Sequence, residues 1–475
     1  MKNNTKIKHW YRHCTVLAMI AICFVSCKNS NDDSGALPFN PSKEIVITDF
    51  LPKSGGIGQR LVIYGENFGN DPSLINLTIG GKKANVIGLN NGGLYCLVPS
   101  QAYSGKIEIS INKDDKIFSA TAENVFKYER KMVVSTLCGY RNERDDQGWV
   151  DGPFSKVSGF RENCFLKFDP KYPELLYAAF DGNEIRLINL KDSTVSTPIT
   201  RSMGQWNRFR SIDFTPDGDH MIIANDFDGN GTSSLSVSIL TRNKTTKLFE
   251  NPQQLAAYKQ CNGASVHPVN GEMYFNSYEK GQFFRYDMEN YYKGLTTTVK
   301  DYEELFKIQD NQWEFNIQIH PTGDYAYIVV VNQHYILRTD YNWVKKRFNQ
   351  PYLVCGLSRN GGYVDGVGSV ARLRTPYQGV FVKNPKYAGQ TDEYDFYFTD
   401  KENQCIRILT PDGAVTTFAG RGSNGNSNPY GYVDGDLRLE ARFDQPTGLA
   451  YSEKEKVFYI CDVVNRRIRK IGLEQ

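Results

Sequence analysis

One phrase recurs three times in this chain: GWVDGPF at 148–154, GYVDGVG at 362–368 and GYVDGDL at 431–437. Each copy is followed by a segment that itself looks like a repeat. The third continues ARFDQPTGLAYSEKEKVFYICDVVNRRIRKI over 441–471, and the second continues ARLRTPYQGVFV and then YDFYFTDKENQCIRIL over 371–409. Internal repetition at a period of tens of residues decides the fold before any single motif does.

Weaker copies fill the middle. FDPKYPELLYAAFDG (168–182), FTPDGDHMIIAND (214–226), VHPVNGEMYFNSY (266–278) and IHPTGDYAYIVVV (319–331) share a strand, a turn and a second strand. Their turn residues Pro170, Pro216, Pro268 and Pro321 recur at about 50-residue intervals. Equivalent turns near Asn384 and Glu453 make six units. Short alternating strands with Gly/Asp turns at this spacing are the pattern of β-propeller blades. The longer VDG loops account for the longer last units.

The ends of the repeat region predict how the ring closes. KMVVSTLCG (131–139) matches the outer strand AVTTFAG (414–420), yet it precedes the first unit. The chain ends after a third strand. Segment 131–137 is therefore expected to pair beside 466–472, leaving no unpaired edge at the seam.

These units resemble NHL repeats. Unit six carries Asp434, Gly435, Ala441, Phe443, Pro446, Gly448, Ala450, Asp462, Asn465, Ile468 and Arg469 at motif positions. Unit five carries Asp365, Gly366, Ala371, Pro376, Gly379, Asp400, Asn403, Ile406 and Arg407. Units one to four diverge. The resemblance implies an NHL-like six-bladed propeller over 131–475.

Residues 44–128 alternate strands with Gly-rich turns, the pattern of a β-sandwich. Pro52, Gly55 and Gly58, the run from Ile63 to Gly69, the Gly80–Gly81 turn with Ala84, and Val98–Pro99 resemble the IPT/TIG immunoglobulin-like domain. That resemblance implies a spacer. The fold expectation is thus all-β: an immunoglobulin-like sandwich followed by a propeller.

The N-terminus speaks to location. Lys2, Lys6, Lys8 and Arg12 precede the apolar run 14–27, too short to span a bilayer, so residues 1–26 read as an export signal. Phe24-Val25-Ser26-Cys27 resembles a lipobox, which makes Cys27 the expected lipidation site. Residues 27–43 are polar and suit a flexible tether. Asp32-Asp33 resembles a sorting signal of surface lipoproteins in glycan-degrading bacteria. The expected address is the outer membrane, facing the cell surface, with the periplasmic face as the alternative.

Removing the signal takes four basic residues from a chain of net charge +3, leaving −1. No basic cluster remains to follow a phosphate backbone, so nucleic-acid binding has no support. Seven cysteines follow Cys27. Cys138 and Cys355 stand where another copy has Ala419, the behaviour of small buried residues. No Cys or His spacing fits a zinc site. His267 and His320 share one repeat position before the turn proline and are read as structural.

Propellers bind ligands at one end of the central channel, where the inner strands begin. Aligning the units puts Asn163, Arg210, Asn262, Glu314, Phe315, Tyr377, Gln378 and Thr447 there. Trp206 and Trp313 lie slightly earlier and could either face a ligand or cap the core between blades. Flat rings beside Arg, Asn, Gln and Glu suit a carbohydrate. The repeated VDG aspartates are read as turn caps. Asp226, Asp228 and Asn230 resemble the start of a calcium loop, but Val237 stands at its twelfth position, so an ordinary turn is favoured and no cofactor is expected. No G-x-S-x-G, H-E-x-x-H or phosphate loop is present. The leading expectation is a non-catalytic glycan-binding surface lipoprotein, working beside an outer-membrane glycan transporter. A propeller lyase or hydrolase and a protein-interaction scaffold remain as alternatives.

Overall fold

The computed structural model describes residues 35–474 apart from 101, 141–147, 183, 205, 228–234, 296–298, 309–313 and 423–426. The chain divides into two compact units. One comprises residues up to Ser54 with Arg60–Leu97 and Tyr103–Lys127; the other comprises Gly55–Gln59, Val98–Ala102 and Tyr128 onward.

The first unit is a β-sandwich. One sheet runs in the order Val46–Leu51, Arg60–Glu66, Gly93–Leu97, Val86–Asn90. The facing sheet is built on Lys116–Tyr128, Gly105–Lys113 and Ile75–Ile79. Alternation sends Leu61, Ile63, Leu94, Cys96, Leu77, Ile79, Ile107, Ile109 and Ile111 into the shared core, each at most 1% exposed.

The second unit is a six-bladed propeller. The innermost strands, blades one to six in order, are Cys164–Phe168, Phe209–Phe214, Ala264–Val266, Phe315–Ile319, Pro376–Lys383 and Pro446–Ser452. The ring closes as the repeats predict. Met132–Cys138 pairs antiparallel with Arg467–Leu473, with Met132 opposite Leu473 and Thr136 opposite Arg469. The first strand of this unit thereby finishes its last blade. Apolar clusters fill the spaces between neighbouring blades, and one of them bridges blades six and one.

The VDG phrase has a precise partner that the repeats did not disclose. In blade five the fully buried Arg407 gives its guanidinium to Asp365 and Asp400, each at 2.8 Å, and to the Val364 carbonyl at 2.9 Å. Blade six repeats this with Arg469, Asp434 (2.6 Å), Asp462 (2.7 Å) and the Val433 carbonyl (2.8 Å). In blade one Arg186 holds Asp151 at 2.9 Å and the Val150 carbonyl at 2.7 Å. There the register puts Phe180 where blades five and six carry Asp400 and Asp462. The VDG aspartate is therefore mainly an arginine anchor. The expected turn cap is not what these side chains make: the N–H each accepts in the strong copies comes from the neighbouring outer strand, Thr417 for Asp365 and Thr136 for Asp434, both at 3.2 Å.

Electrostatics follow this difference. Burial pulls Arg186 below its ordinary pKa, whereas for Arg407 the same burial is outweighed by Asp400 and the pKa rises. Asn403 and Asn465 complete the device, each donating to the strand-end aspartate of its blade at 2.7 and 2.8 Å.

Candidate functional site

Each inner strand begins where the second strand of its blade ends, because the two are antiparallel. Pairing continues one residue further. Asp181 donates its N–H to the Asn163 carbonyl at 2.7 Å, Asp226 to Arg208 at 2.9 Å, Val331 to Glu314 at 2.9 Å and Lys401 to Thr375 at 3.2 Å. Short polar residues at these strand ends, as in AFDG and AND, thus gather at one end of the channel.

Arg210 is the hub. Its Nε donates to Asp226 at 3.0 Å, and its Nη2 lies 2.8 Å from the same oxygen. Its Nη1 lies 2.8 Å from Asp181 and 3.3 Å from Glu314. Arg208 closes on Asp181 with two further bonds of 2.9 Å. The Tyr278 hydroxyl donates to Asp226 at 2.8 Å, and Asn332 donates to Glu314 at 3.2 Å. Burial works against the Arg210 charge, but Glu314, Asp181, Tyr377 and Asp226 outweigh it and raise the pKa. Tyr377 is raised by burial, and the nearby carboxylates reinforce this against Arg210. Lys401 is lowered by burial, with Glu402, Glu314 and Asp181 opposing. None of the described residues pairs with the Lys401 ammonium.

The structure therefore brings together Arg210, Glu314, Tyr377 and, through its carbonyl, Asn163. Other candidates hold the barrel of inner strands instead. Gln378 accepts the N–H groups of Leu166 and Leu449 at 2.9 and 3.0 Å and donates to the Leu166 carbonyl at 2.7 Å, tying blades one, five and six. The Thr447 hydroxyl accepts the Cys164 N–H at 3.1 Å. Phe315 is fully buried among core rings. Asn262 is 3% exposed, accepts from Asn276, and keeps an unpartnered Nδ2.

One candidate needs correction. Trp206 does not face the channel. It is 5% exposed in the core beside blades one and two, packed on Phe209, with its indole N–H donated to Ser238 at 2.8 Å. Asp226, the first residue of the calcium-like loop, has its oxygens engaged by Arg210 and Tyr278. Trp313, Asp228, Asn230 and Cys27 lie outside the described residues. Among the described residues no three His, Cys, Asp or Glu side chains group to hold a metal.

Sequence reasoning missed Asp181, Arg208, Tyr278 and Lys401. The available signal was their shared place: all but Arg208 directly follow a second strand. Phe227, next to Asp226 and 38% exposed, is a further rim aromatic.

Residues 46–128 match the IPT/TIG domain family. A solved Bacteroides thetaiotaomicron VPI-5482 protein with a provisional phosphatase label is 48% identical, with a TM-score of 0.85, covering 92% of this chain and 99% of that one. A second protein from the same organism, described as an auxiliary nutrient binding protein, is also 48% identical, with a TM-score of 0.83 over 92% of this chain and 100% of its own. This chain belongs to their family. The kinship spans sandwich and propeller together. The NHL character has separate support: 114 residues are 31% identical to NHL repeat-containing protein 2 of Bos taurus. That match spans 24% of this chain and only 14% of the bovine protein.

Proposed function

We propose that this protein is a lipid-anchored surface protein that binds an oligo- or polysaccharide at the Arg210 end of its propeller channel, without cleaving it, as part of a glycan-utilisation system. One observation carries the reading: Arg208, Arg210, Asp181, Asp226, Glu314, Tyr377 and Lys401 converge on one rim. Three carboxylates and three cations balance there, so the rim presents fixed donors and acceptors without net charge. Such a surface fits the hydroxyls of a neutral sugar better than an ion. The relative described as an auxiliary nutrient binding protein supports a nutrient-binding role. The Cys27 lipobox, the tether and the acidic pair support surface anchoring beside an outer-membrane transporter.

The test is affinity electrophoresis against a glycan panel, with product analysis of each mixture. Retardation by a neutral glycan, without products, is expected, and Glu314→Gln should weaken it. Released sugars that vanish in Glu314→Gln would overturn the non-catalytic reading. A second reading, phosphoester hydrolysis, is favoured by the Lys401 ammonium and the phosphatase label of the other relative. Phosphate release from an aryl phosphate, lost in Lys401→Met, would replace the first reading with it.

A further inference from the structure

Three cysteines, Cys138, Cys164 and Cys461, lie in the apolar cluster where blade six meets blade one. Cys138 ends the closing strand, Cys461 lies on Val457–Asp462 of blade six, and Cys164 opens the inner strand of blade one. Within blade six, Cys138 stands opposite Ile468, and Ile468 stands opposite Cys461. A whole strand therefore separates these two cysteines, about 9–10 Å at ordinary strand spacing. That is beyond the reach of a disulfide.

Cys164 and Cys461 are placed differently. They lie in that cluster on neighbouring blades: the pairs Pro446–Asp462 and Leu449–Ile460 set Cys461 beside Thr447–Gly448, and the Cys164 sulfur packs against Gly448. Gly448 lets the inner strand of blade one pack this closely on blade six. A Cβ at Gly448 would lie 3.3 Å from the Cys164 sulfur and 3.1 Å from its carbonyl oxygen, tighter than ordinary packing allows. The neighbouring Thr447 hydroxyl holds the Cys164 N–H at 3.1 Å, so the strand is fixed at this point. Both cysteines are free thiols in this structure, at most 1% exposed.

We propose that Cys164 and Cys461 are oxidised to a disulfide in the exported protein, joining blade one covalently to blade six. The bond is a second closure of the ring beside the paired strand Met132–Cys138. The two thiols give up two protons and two electrons, and a disulfide-bearing oxidant takes them up and leaves as two thiols. Export places the chain among such oxidants. Burial holds the Cys164 thiol well above its ordinary pKa, so the reactive thiolate is scarce once the ring has shut. The bond therefore forms during folding, and reductants reach it only after unfolding.

The experiment refolds the full chain in mixed oxidised and reduced glutathione, alkylates free thiols under denaturing conditions, and maps the peptides by mass. A linked Cys164–Cys461 peptide is expected in the unsubstituted protein and in Cys138→Ser, and neither in Cys461→Ser nor in Cys164→Ala. The oxidised protein should melt about 5 °C above protein refolded with reductant. Alkylation of both Cys164 and Cys461 after oxidative refolding would overturn the proposal, as would a Cys138–Cys461 link.

Discussion

Arg210 of blade two places its Nη1 2.8 Å from Asp181, the residue that directly follows the second strand of blade one. The same guanidinium reaches Asp226 of its own blade at 2.8 Å. An ion pair that crosses between blades ties the shape of the rim to the packing of the ring. With 7% of the Arg210 side chain exposed and 2% of Asp226, neither charge has solvent to fall back on. Replacing Arg210 with Met leaves the buried Asp226 only a 3.6 Å contact with Arg208 as counter-ion, at a cost of about 3–5 kcal/mol. Urea unfolding should show this loss; an unchanged midpoint would mean that the rim is decoupled from the fold.

Arg208 offers a cleaner probe of the ligand. It binds the same Asp181 with two 2.9 Å bonds, but its side chain is 46% exposed. Asp181 is only 10% exposed but keeps Arg210 as its counter-ion, so losing this half-exposed partner should cost about 0–1 kcal/mol. Arg208→Ala should therefore keep the melting temperature within about 2 °C. Glycan affinity should fall roughly tenfold, the effect of losing one charge-assisted contact. Calorimetric titration with a glycan that retards the unsubstituted protein measures it.

The propeller was legible because its blades repeat and because its strands alternate. Even the closing strand could be placed, since 131–139 copies 414–420. The site was legible only where a side chain breaks the repeat at the start of an inner strand, as with Arg210, Glu314 and Tyr377. Asp181 and Lys401 lie at the far ends of second strands, and only the antiparallel register brings them to the same rim. One residue of register also misled the motif match. Gly379 was aligned with Gly448, whereas Gly379 pairs with Phe398 as Leu449 pairs with Ile460. Gln378 therefore takes the place of Gly448 and points its amide across the channel to Leu166. A one-residue slip reverses which face a side chain meets, and no sequence pattern here fixed it. Trp206 lies before the strand Phe209–Phe214, where no strand register sets its direction, and its ring turns into the core.

That placement makes Trp206 a stability residue. Trp206→Ala removes a ring packed on Phe209 and the hydrogen bond to Ser238. A loss of about 3–5 kcal/mol is expected, with glycan affinity unchanged in the folded fraction. A tenfold affinity loss at unchanged stability would put the ring back in the site.

The three buried arginines of the VDG device should differ in a fixed order. Arg407 and Arg469 each leave two carboxylates behind when removed, one of them fully buried. Arg186 leaves only Asp151, whose side chain is 45% exposed. Arg407→Leu and Arg469→Leu should each cost about 3–5 kcal/mol. Arg186→Leu should cost clearly less, because Phe180 already replaces the inner acid. Urea midpoints of the three variants check the order, and equal losses would contradict it.

His267 sets an acid limit on the fold. Its Nε2–H donates to the Gly323 carbonyl at 3.0 Å, and its Nδ1 accepts the N–H groups of Val269 and Asn270, each at 3.3 Å. A proton on Nδ1 would face those two donors. Burial lowers the pKa of His267 from 6.5, against the opposing pull of Gly323, Glu272 and Asp324. His334 is lowered by burial as well. Below pH 6.5 the unfolded chain takes up protons that the folded chain refuses, so stability rises with pH in this window. The contribution is complete above pH 6.5 and is lost as pH falls through the depressed folded values. Asp462, raised by burial to about 6, acts with the opposite sign in the same window, so the His267 contribution is read as the urea midpoint of the protein minus that of His267→Asn, a difference that should fall between pH 7 and pH 5. The imidazole signal of His267, assigned by its loss in His267→Asn, should not titrate until below pH 6.5. A His267 midpoint at or above 6.5 would show that the ring carries its proton inside the fold, contrary to its hydrogen bonds.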